Sequence, residues 1–283
     1  MNPKNSSPAR IILQKILALL CFLVLPLLFY VLTAYLTAAV FQVLLSSMDE
    51  GAGAARFLEA NLPIVYSGAA ALVTVGVLGP LYRRFRRDPL LSVSPRNPET
   101  GCPKRRDHPS AASGYLCAAA FGSFGAVFFN LLLALSRLPE LFPSAGTIGA
   151  AGGEVNAPLH FLVVCLLLPT AEELVFRGLG YFGLRRFYGP AFTGVLTAAL
   201  FGVFHGNAPQ TLYGFCMGLL LAHTAEACRN LTGVLLFHWA ANVTSFFFLG
   251  DPTGQRLIYS IPFLGLSGIG CVWLFYRVKD LGR

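Results

Sequence analysis

Long apolar runs recur along this chain, and they constrain its fold more than any other feature. Each run is close to the roughly 20 residues that a helix needs to cross a bilayer. Only 12% of the residues are charged and 55% are hydrophobic, whereas about a quarter of the residues in soluble domains are charged. Backbone groups inside a membrane must be bonded within their own segment, so such runs form helices. We therefore predict an all-α, polytopic membrane helix bundle, with residues 1–283 forming a single membrane domain.

The apolar runs predict about eight transmembrane helices. Their approximate bounds are Ile16–Leu45, Leu62–Tyr82, Ser113–Leu135, a fourth run that begins near Pro158, Pro190–His205, Pro209–Cys228, Leu231–Leu249 and Ile258–Tyr276. The first run is longer than a bilayer requires, which indicates a tilt or a kink near Pro26. The pattern Gly214-xxx-Gly218 is typical of closely packed membrane helices.

The distribution of Lys and Arg tests this helix count, because cytoplasmic loops are enriched in both residues. With a cytoplasmic N-terminus, seventeen of the 21 Lys and Arg residues fall in cytoplasmic segments, and only Arg56, Arg137 and Arg256 fall in outer ones. Both termini are then cytoplasmic. Residues 83–112 form a basic cytoplasmic loop, whose charge either directs topology or contacts anionic lipid or a substrate tail.

The net charge of +8 does not indicate nucleic-acid binding. The positive residues collect in alternate loops, and no basic patch is interleaved with aromatic residues as in strand-binding proteins. The seven cysteines contain no Cys-x-x-Cys pair, so they predict neither a disulfide framework nor a cysteine zinc site. The partners that remain are the lipid bilayer and a membrane-associated molecule, and we expect a bacterial plasma membrane.

Two carboxylates and a guanidinium follow the fourth apolar run, at Glu172, Glu173 and Arg177. Ionisable groups within a membrane are energetically expensive and are usually functional. Glu173 and Arg177 are four residues apart with the acid first, which favours an ion pair on one helix face. Glu172 points about 100° away from Glu173. It must therefore find a partner on another helix.

Polar residues on two other apolar runs are candidates for that partner. His205 lies at the end of the fifth run, and His238 and Asn242 are four residues apart on the seventh. Meeting Glu172 inside the bundle is the simplest way for these groups to be satisfied. Counting 1.5 Å per residue from the cytoplasmic ends, Glu172 and His238 lie about 10 Å deep and His205 about 22 Å deep. A longer fourth helix, a tilted fifth helix or a later start to the fifth helix would remove this difference.

Three motifs in this order carry a family resemblance: Glu172-Glu173-xxx-Arg177, Phe201-xxx-His205 and His238-xxx-Asn242. They resemble the motifs of the CAAX protease and bacteriocin-processing family (CPBP, or Abi). Its members are glutamate-dependent intramembrane endopeptidases and include the type II CAAX prenyl proteases. The resemblance covers residues 158–250 and implies that this segment is the catalytic core. It also implies a membrane-associated protein or peptide as substrate, with either a CAAX-like tail or a leader.

Peptide hydrolysis needs an activated water, a proton acceptor and donors for the oxyanion. We predict that Glu172 is the base and that the ion pair of Glu173 and Arg177 supports it, although Arg177 could also contact substrate or orient Glu172. His205 binds the water or stabilises charge, and the two donors on the seventh run, His238 and Asn242, form the oxyanion hole. We expect no cofactor and no metal.

Three other functions use the same polar groups. Two histidines and a glutamate could bind Zn²⁺ and leave a position for water, although no His-Glu-x-x-His motif is present. A transporter could use Glu172 as a proton relay, but the paired broken helices of many transporters are not evident. A non-catalytic binding or immunity protein could use the cavity without chemistry.

Overall fold

The computed structural model describes residues 8–49, 52–87, 111–136, 138–142, 156–248 and 260–281. Within these ranges the chain is almost entirely helical and contains no strand. Eight long helices follow one another: α1 (Pro8–Ser46), α2 (Gly53–Arg87), α3 (Ala111–Leu135), α4 (Ala157–Leu184), α5 (Pro190–Val203), α6 (Ala208–Cys228), α7 (Leu231–Phe248) and α8 (Ser260–Leu281). The prediction of an all-α, polytopic helical bundle is confirmed.

The helices differ in how well they could cross a membrane. By length and composition, α1 to α4 and α8 are all long and apolar enough to do so, whereas α5 and α7 are apolar but shorter. α6 has 21 residues, but polar groups such as His223 and Glu226 lower its mean hydropathy. It packs against α3, α5, α7 and α8, so most of its surroundings are protein. The exposed faces of the outer helices are rich in large apolar side chains, as expected of surfaces that face lipid.

Several predicted boundaries change in the structure, including the start of the second helix, which is at Gly53 rather than Leu62. The first helix begins at Pro8 and contains a π-helical turn, Leu20–Val24, directly before the segment that holds Pro26. Proline has no backbone N–H, so a change of hydrogen-bond register at this point is physically reasonable. The second helix continues past its predicted end to Arg87. The first part of the predicted basic loop is therefore helical, and residues 88–110 lie outside the described ranges.

Helix α4 lies at the centre of the bundle. In its most apolar window 44% of the residues are buried, compared with 22–33% in the other four candidate spans. It contacts α1, α2, α5, α6 and α7. Polar side chains on α4 can therefore meet partners from several helices without facing lipid.

Several arginines lie together at one end of the bundle, which we call the basic end. Arg185, just after α4, forms a bidentate ion pair with Glu226 on α6, with both N–O distances at 2.8 Å. This hydrogen bonding raises the pKa of Arg185. The Tyr181 hydroxyl also donates to Glu226 at 2.7 Å, and Arg86 on α2 donates to the Arg229 carbonyl at 3.0 Å. These contacts fasten the ends of α2, α4 and α6 together.

Helices α5 and α6 approach each other closely along a line of small residues. A Cβ built on Gly218 would lie 2.9 Å from the Cα of Ala198, and one on Gly214 would lie 3.1 Å from the Cα of Gly202. The close packing predicted from Gly214-xxx-Gly218 is confirmed.

Replacing Gly218 with Ala should destabilise the protein by about 1–3 kcal/mol, the usual range for overpacking a well-packed contact. The added methyl group meets the Ala198 backbone, which cannot move independently of α5. Thermal unfolding in detergent measures the effect. Gly76→Ala on α2 is the matched control, because a Cβ there meets nothing within 4 Å. Equal melting temperatures for the two variants would contradict the prediction.

Candidate active site

Helix α4 departs from regular α-helical geometry on both sides of its acidic motif. π-helical turns occupy Leu162–Leu167 and Leu174–Tyr181, and they flank the α-helical turn Leu168–Glu173. Pro169 lies at the junction with the first π-helical turn and has no N–H to donate to a preceding carbonyl. π-helical turns occur frequently at functional sites. The two acids thus lie on a short α-helical turn between two wider turns.

The Asn242 side chain binds a backbone carbonyl that Pro169 leaves without a donor. The Leu168 N–H donates to the Val163 carbonyl, five residues earlier. In the same register, the carbonyl of Val164 would need an N–H from Pro169. Asn242 Nδ2 donates to this carbonyl instead, at 2.9 Å. One of the two amide N–H groups therefore ties α7 to α4, and the other makes no hydrogen bond within the described residues.

Trp239 makes a second connection between α7 and α4 that the sequence did not predict. Its indole N–H is 3.2 Å from both the Leu166 carbonyl and the Thr170 hydroxyl oxygen. The Thr170 hydroxyl in turn donates to the Leu166 carbonyl at 2.6 Å. Asn242 and Trp239 together fix α7 against the turn of α4 that precedes the acids.

Glu173 is bound by two cationic or potentially cationic groups. Its Oε1 accepts from Arg177 Nη1 at 2.9 Å and lies 2.7 Å from His238 Nδ1. Because a carboxylate oxygen accepts, the hydrogen lies on Nδ1 of the histidine. Arg177 also donates to the Gly218 carbonyl at 3.2 Å, and the side chains of Glu173 and Arg177 are both fully buried. Arg177 therefore has no surface for the substrate contact that the sequence left open.

Glu172 occupies the other side of the same histidine. Its Oε2 is 3.8 Å from His238 Nε2, and its side chain is 20% exposed. This separation is too long for a direct hydrogen bond, but it brings the carboxylate and the imidazole to the same small volume. His238 thus stands between a buried, paired carboxylate and an accessible one.

His205 lies in the turn between α5 and α6. Gly206, with φ of +79°, adopts the left-handed conformation that the turn needs, and the Asn207 side chain accepts from the Gln210 N–H to cap α6. His205 Nδ1 is 2.8 Å from the Phe201 carbonyl oxygen. A carbonyl can only accept, so Nδ1 carries the hydrogen, and Nε2 of the neutral ring can accept one.

The Phe201 ring contacts several of these polar groups, a role that the sequence did not predict. Its centroid is 4.9 Å from the His205 ring and 5.7 Å from the His238 ring, both edge to face. The Arg177 guanidinium carbon lies 4.4 Å from the same centroid. The i, i+4 spacing of Phe201 and His205, which places both on one helix face, was the available signal.

The length of α4 reduces the difference in predicted depth. α4 continues to Leu184, twelve residues after Glu172, which at the α-helical rise of 1.5 Å per residue is at most about 18 Å, because the π-helical turn Leu174–Tyr181 rises less per residue. His205, counted from Pro190, remains at about 22 Å. A longer fourth helix therefore narrows the difference for Glu172, whereas His238, seven residues after the start of α7 at Leu231, stays at about 10 Å.

Direct polar contacts or short separations link four of the six predicted residues: Glu172, Glu173, Arg177 and His238. Of the other two, His205 contacts the Phe201 ring, which also contacts His238, whereas Asn242 is bonded to the Val164 carbonyl, eight residues before Glu172. Among the described residues, no group of three or more His, Cys, Asp or Glu side chains is arranged to hold a metal ion.

Comparison with protein families gives one match to this region. Residues 154–244 match the family model described as type II CAAX prenyl endopeptidase Rce1-like. Neither the curated proteins nor the solved structures gave a match to the chain. The matched residues include all three motifs, which confirms the resemblance to the CAAX protease family, and the apolar helices indicate a multi-pass membrane protein. Residues 154–244 thus carry an Rce1-like domain of the CAAX protease family, within an integral membrane helix bundle.

Proposed function

We propose that this protein is an intramembrane endopeptidase in which Glu172 activates the water that attacks a peptide bond. The observation that carries the proposal is the difference in burial and in partners between two adjacent acids. Glu173 is fully buried and bound by Arg177, whereas Glu172 is partly accessible and faces His238 without an arginine of its own. A carboxylate held in this way retains the capacity to accept a proton.

In this mechanism Glu172 first accepts a proton and later donates it to the leaving group. Glu172 takes a proton from water as the oxygen attacks the carbonyl carbon of the substrate. The resulting tetrahedral intermediate breaks its C–N bond, and Glu172 returns the proton to the departing amine. His205 Nε2 can accept a hydrogen bond from the same water, because Nδ1 is occupied by the Phe201 carbonyl.

His238 and Asn242 remain the proposed oxyanion donors, each with one hydrogen bond already made to the protein. His238 Nδ1 is bound to Glu173, so Nε2 accepts in the neutral ring and donates only in the protonated ring. The second amide N–H of Asn242 can serve the same oxygen. Oxyanion donors act through positioning before the reaction starts, and both side chains are held by α4.

The proposed substrate is a membrane-associated protein or peptide with a CAAX-like C-terminus. The test uses purified protein in liposomes with a farnesylated CAAX reporter and the same peptide without farnesyl, analysed by mass spectrometry. Cleavage of the farnesylated peptide alone is the expected result. Cleavage of both would remove the prenyl requirement. No cleavage of either, together with an unchanged membrane peptidome on deletion of the protein, would contradict the proposed function.

Turnover of the reporter should survive chelation by EDTA or phenanthroline. In this proposal the water is activated by the Glu172 carboxylate, and Nδ1 of each site histidine already donates to a protein oxygen. Elemental analysis of the active preparation should give well under one zinc per chain. One zinc per chain that is lost together with activity would overturn the glutamate mechanism.

A further inference from the structure

Tyr30 on α1 is turned into the bundle, although it lies outside the matched residues 154–244. Its side chain is 7% exposed, whereas its neighbours Leu28 and Leu32 on the same helix are 58% and 57% exposed. α1 therefore presents apolar side chains to lipid on one face and this phenol to the interior.

The Tyr30 ring belongs to the aromatic packing around the active site. It stacks on the Phe204 ring with a centroid distance of 5.7 Å and an interplanar angle of 26°. Phe204 immediately precedes His205 and packs edge to face on Phe176, with centroids 5.8 Å apart. Phe176 follows Glu172 by one helical turn. Tyr30 thus contacts the turn that holds His205, and through Phe204 it approaches the helix that carries Glu172.

The Tyr30 hydroxyl has no hydrogen-bond partner among the described residues, although its ring contacts Phe204, which immediately precedes His205. Buried tyrosine hydroxyls usually have a partner. Tyr181, for example, donates to Glu226 at 2.7 Å. A donor beside the turn that holds His205, and not used by the described residues, is available to a substrate.

Few other hydrogen-bond donors in the proposed active site are unused by the protein. Asn242 has committed one N–H to the Val164 carbonyl, and His238 has committed Nδ1 to Glu173. A developing oxyanion needs donors that are in place before the reaction. We propose that the Tyr30 hydroxyl donates a hydrogen bond to the oxyanion, so that α1 completes the site. The inference rests on the proposed peptidase function.

Replacing Tyr30 with Phe keeps the ring that stacks on Phe204 and removes only the hydroxyl. We expect kcat for the reporter to fall about 10²–10³-fold, the range for losing one oxyanion donor, with KM unchanged because the contact forms only in the transition state. The melting temperature should stay within the range of the control Tyr35→Phe, whose side chain is 74% exposed on α1. A Tyr30→Phe enzyme with kcat within about twofold of wild type would overturn the proposal while leaving the Glu172 mechanism standing.

A second measurement does not depend on turnover. 3-Fluorotyrosine is introduced in place of Tyr30, and its ¹⁹F resonance is compared in protein with and without Glu172→Gln. The resonance at position 30 should shift, and the same label in place of Tyr35 should not. An unchanged resonance at position 30 would overturn the assignment of Tyr30 to the site. If the wild-type protein cleaves no reporter and its deletion leaves the membrane peptidome unchanged, the proposed function is contradicted, and the resonance still decides whether the phenol faces Glu172.

Discussion

Glu172→Gln should lower the rate of peptide cleavage by about 10²–10⁴-fold, the contribution expected of a general base. The amide has nearly the same shape as the carboxylate and can still accept a hydrogen bond, but it cannot take a proton from water. Because the side chain is already 20% exposed and makes no direct hydrogen bond to the described residues, folding should be unaffected. Turnover of the farnesylated reporter by the purified variant measures the loss of activity. The melting temperature of the variant shows whether folding is unaffected.

The matched control is Glu59→Gln on α2. It makes the same chemical change at an exposed position, and it should leave turnover and melting temperature close to wild type. If Glu172→Gln kept more than roughly a tenth of wild-type turnover, the loss would be far smaller than that expected of a general base. Glu172 would then have no part in the mechanism.

Arg177→Met should destabilise the protein by about 3–5 kcal/mol, because it leaves a buried carboxylate without its main counter-ion. Glu173 would keep only the hydrogen bond from His238, and its second oxygen, Oε2, already has no partner within the described residues. Combining Arg177→Met with Glu173→Gln should recover much of this loss, because the charge that needs a partner is removed as well. Denaturant titration in detergent measures all three proteins.

The ion pair at the basic end provides the comparison. Arg185 and Glu226 form a pair with similar N–O distances, but their side chains are 16% and 42% exposed. Arg185→Met should therefore cost much less, because exposed ion pairs contribute about 0–1 kcal/mol. The burial argument would be wrong if Arg177→Met unfolded no more readily than Arg185→Met.

Spacing along single helices was sufficient to predict the local geometry of this site. The four-residue separation of Glu173 and Arg177 predicted the ion pair that the structure contains. The high energy of unpaired polar groups predicted that Glu172 would find a partner on another helix, and its carboxylate lies 3.8 Å from His238 on α7. These predictions depend only on helical periodicity and on the high energy of unpaired polar groups in a membrane.

The contacts between helices could not be predicted in the same way. The Val164 carbonyl becomes an acceptor for Asn242 because the π-helical turn before Pro169 changes the hydrogen-bond register. Periodicity calculated for a regular α-helix contains no information about that change. The position of the Phe201 ring depends on how closely α5 approaches α6, which Gly214 and Gly218 control through contacts with another helix.

The shortness of α5 has a consequence for the surrounding lipid. Its 14 residues extend about 21 Å at 1.5 Å per residue, about 9 Å less than the hydrocarbon core of a typical bilayer. Its outer side chains, including Phe192 and Val195, are exposed, so lipid beside α5 must thin or water must enter above the turn at His205. Hydrophobic mismatch of this kind costs fractions of a kcal/mol per Å. We expect the bilayer to thin, or water to enter, beside the candidate active site, and either change brings water toward a peptide bond that would otherwise lie beneath a full leaflet.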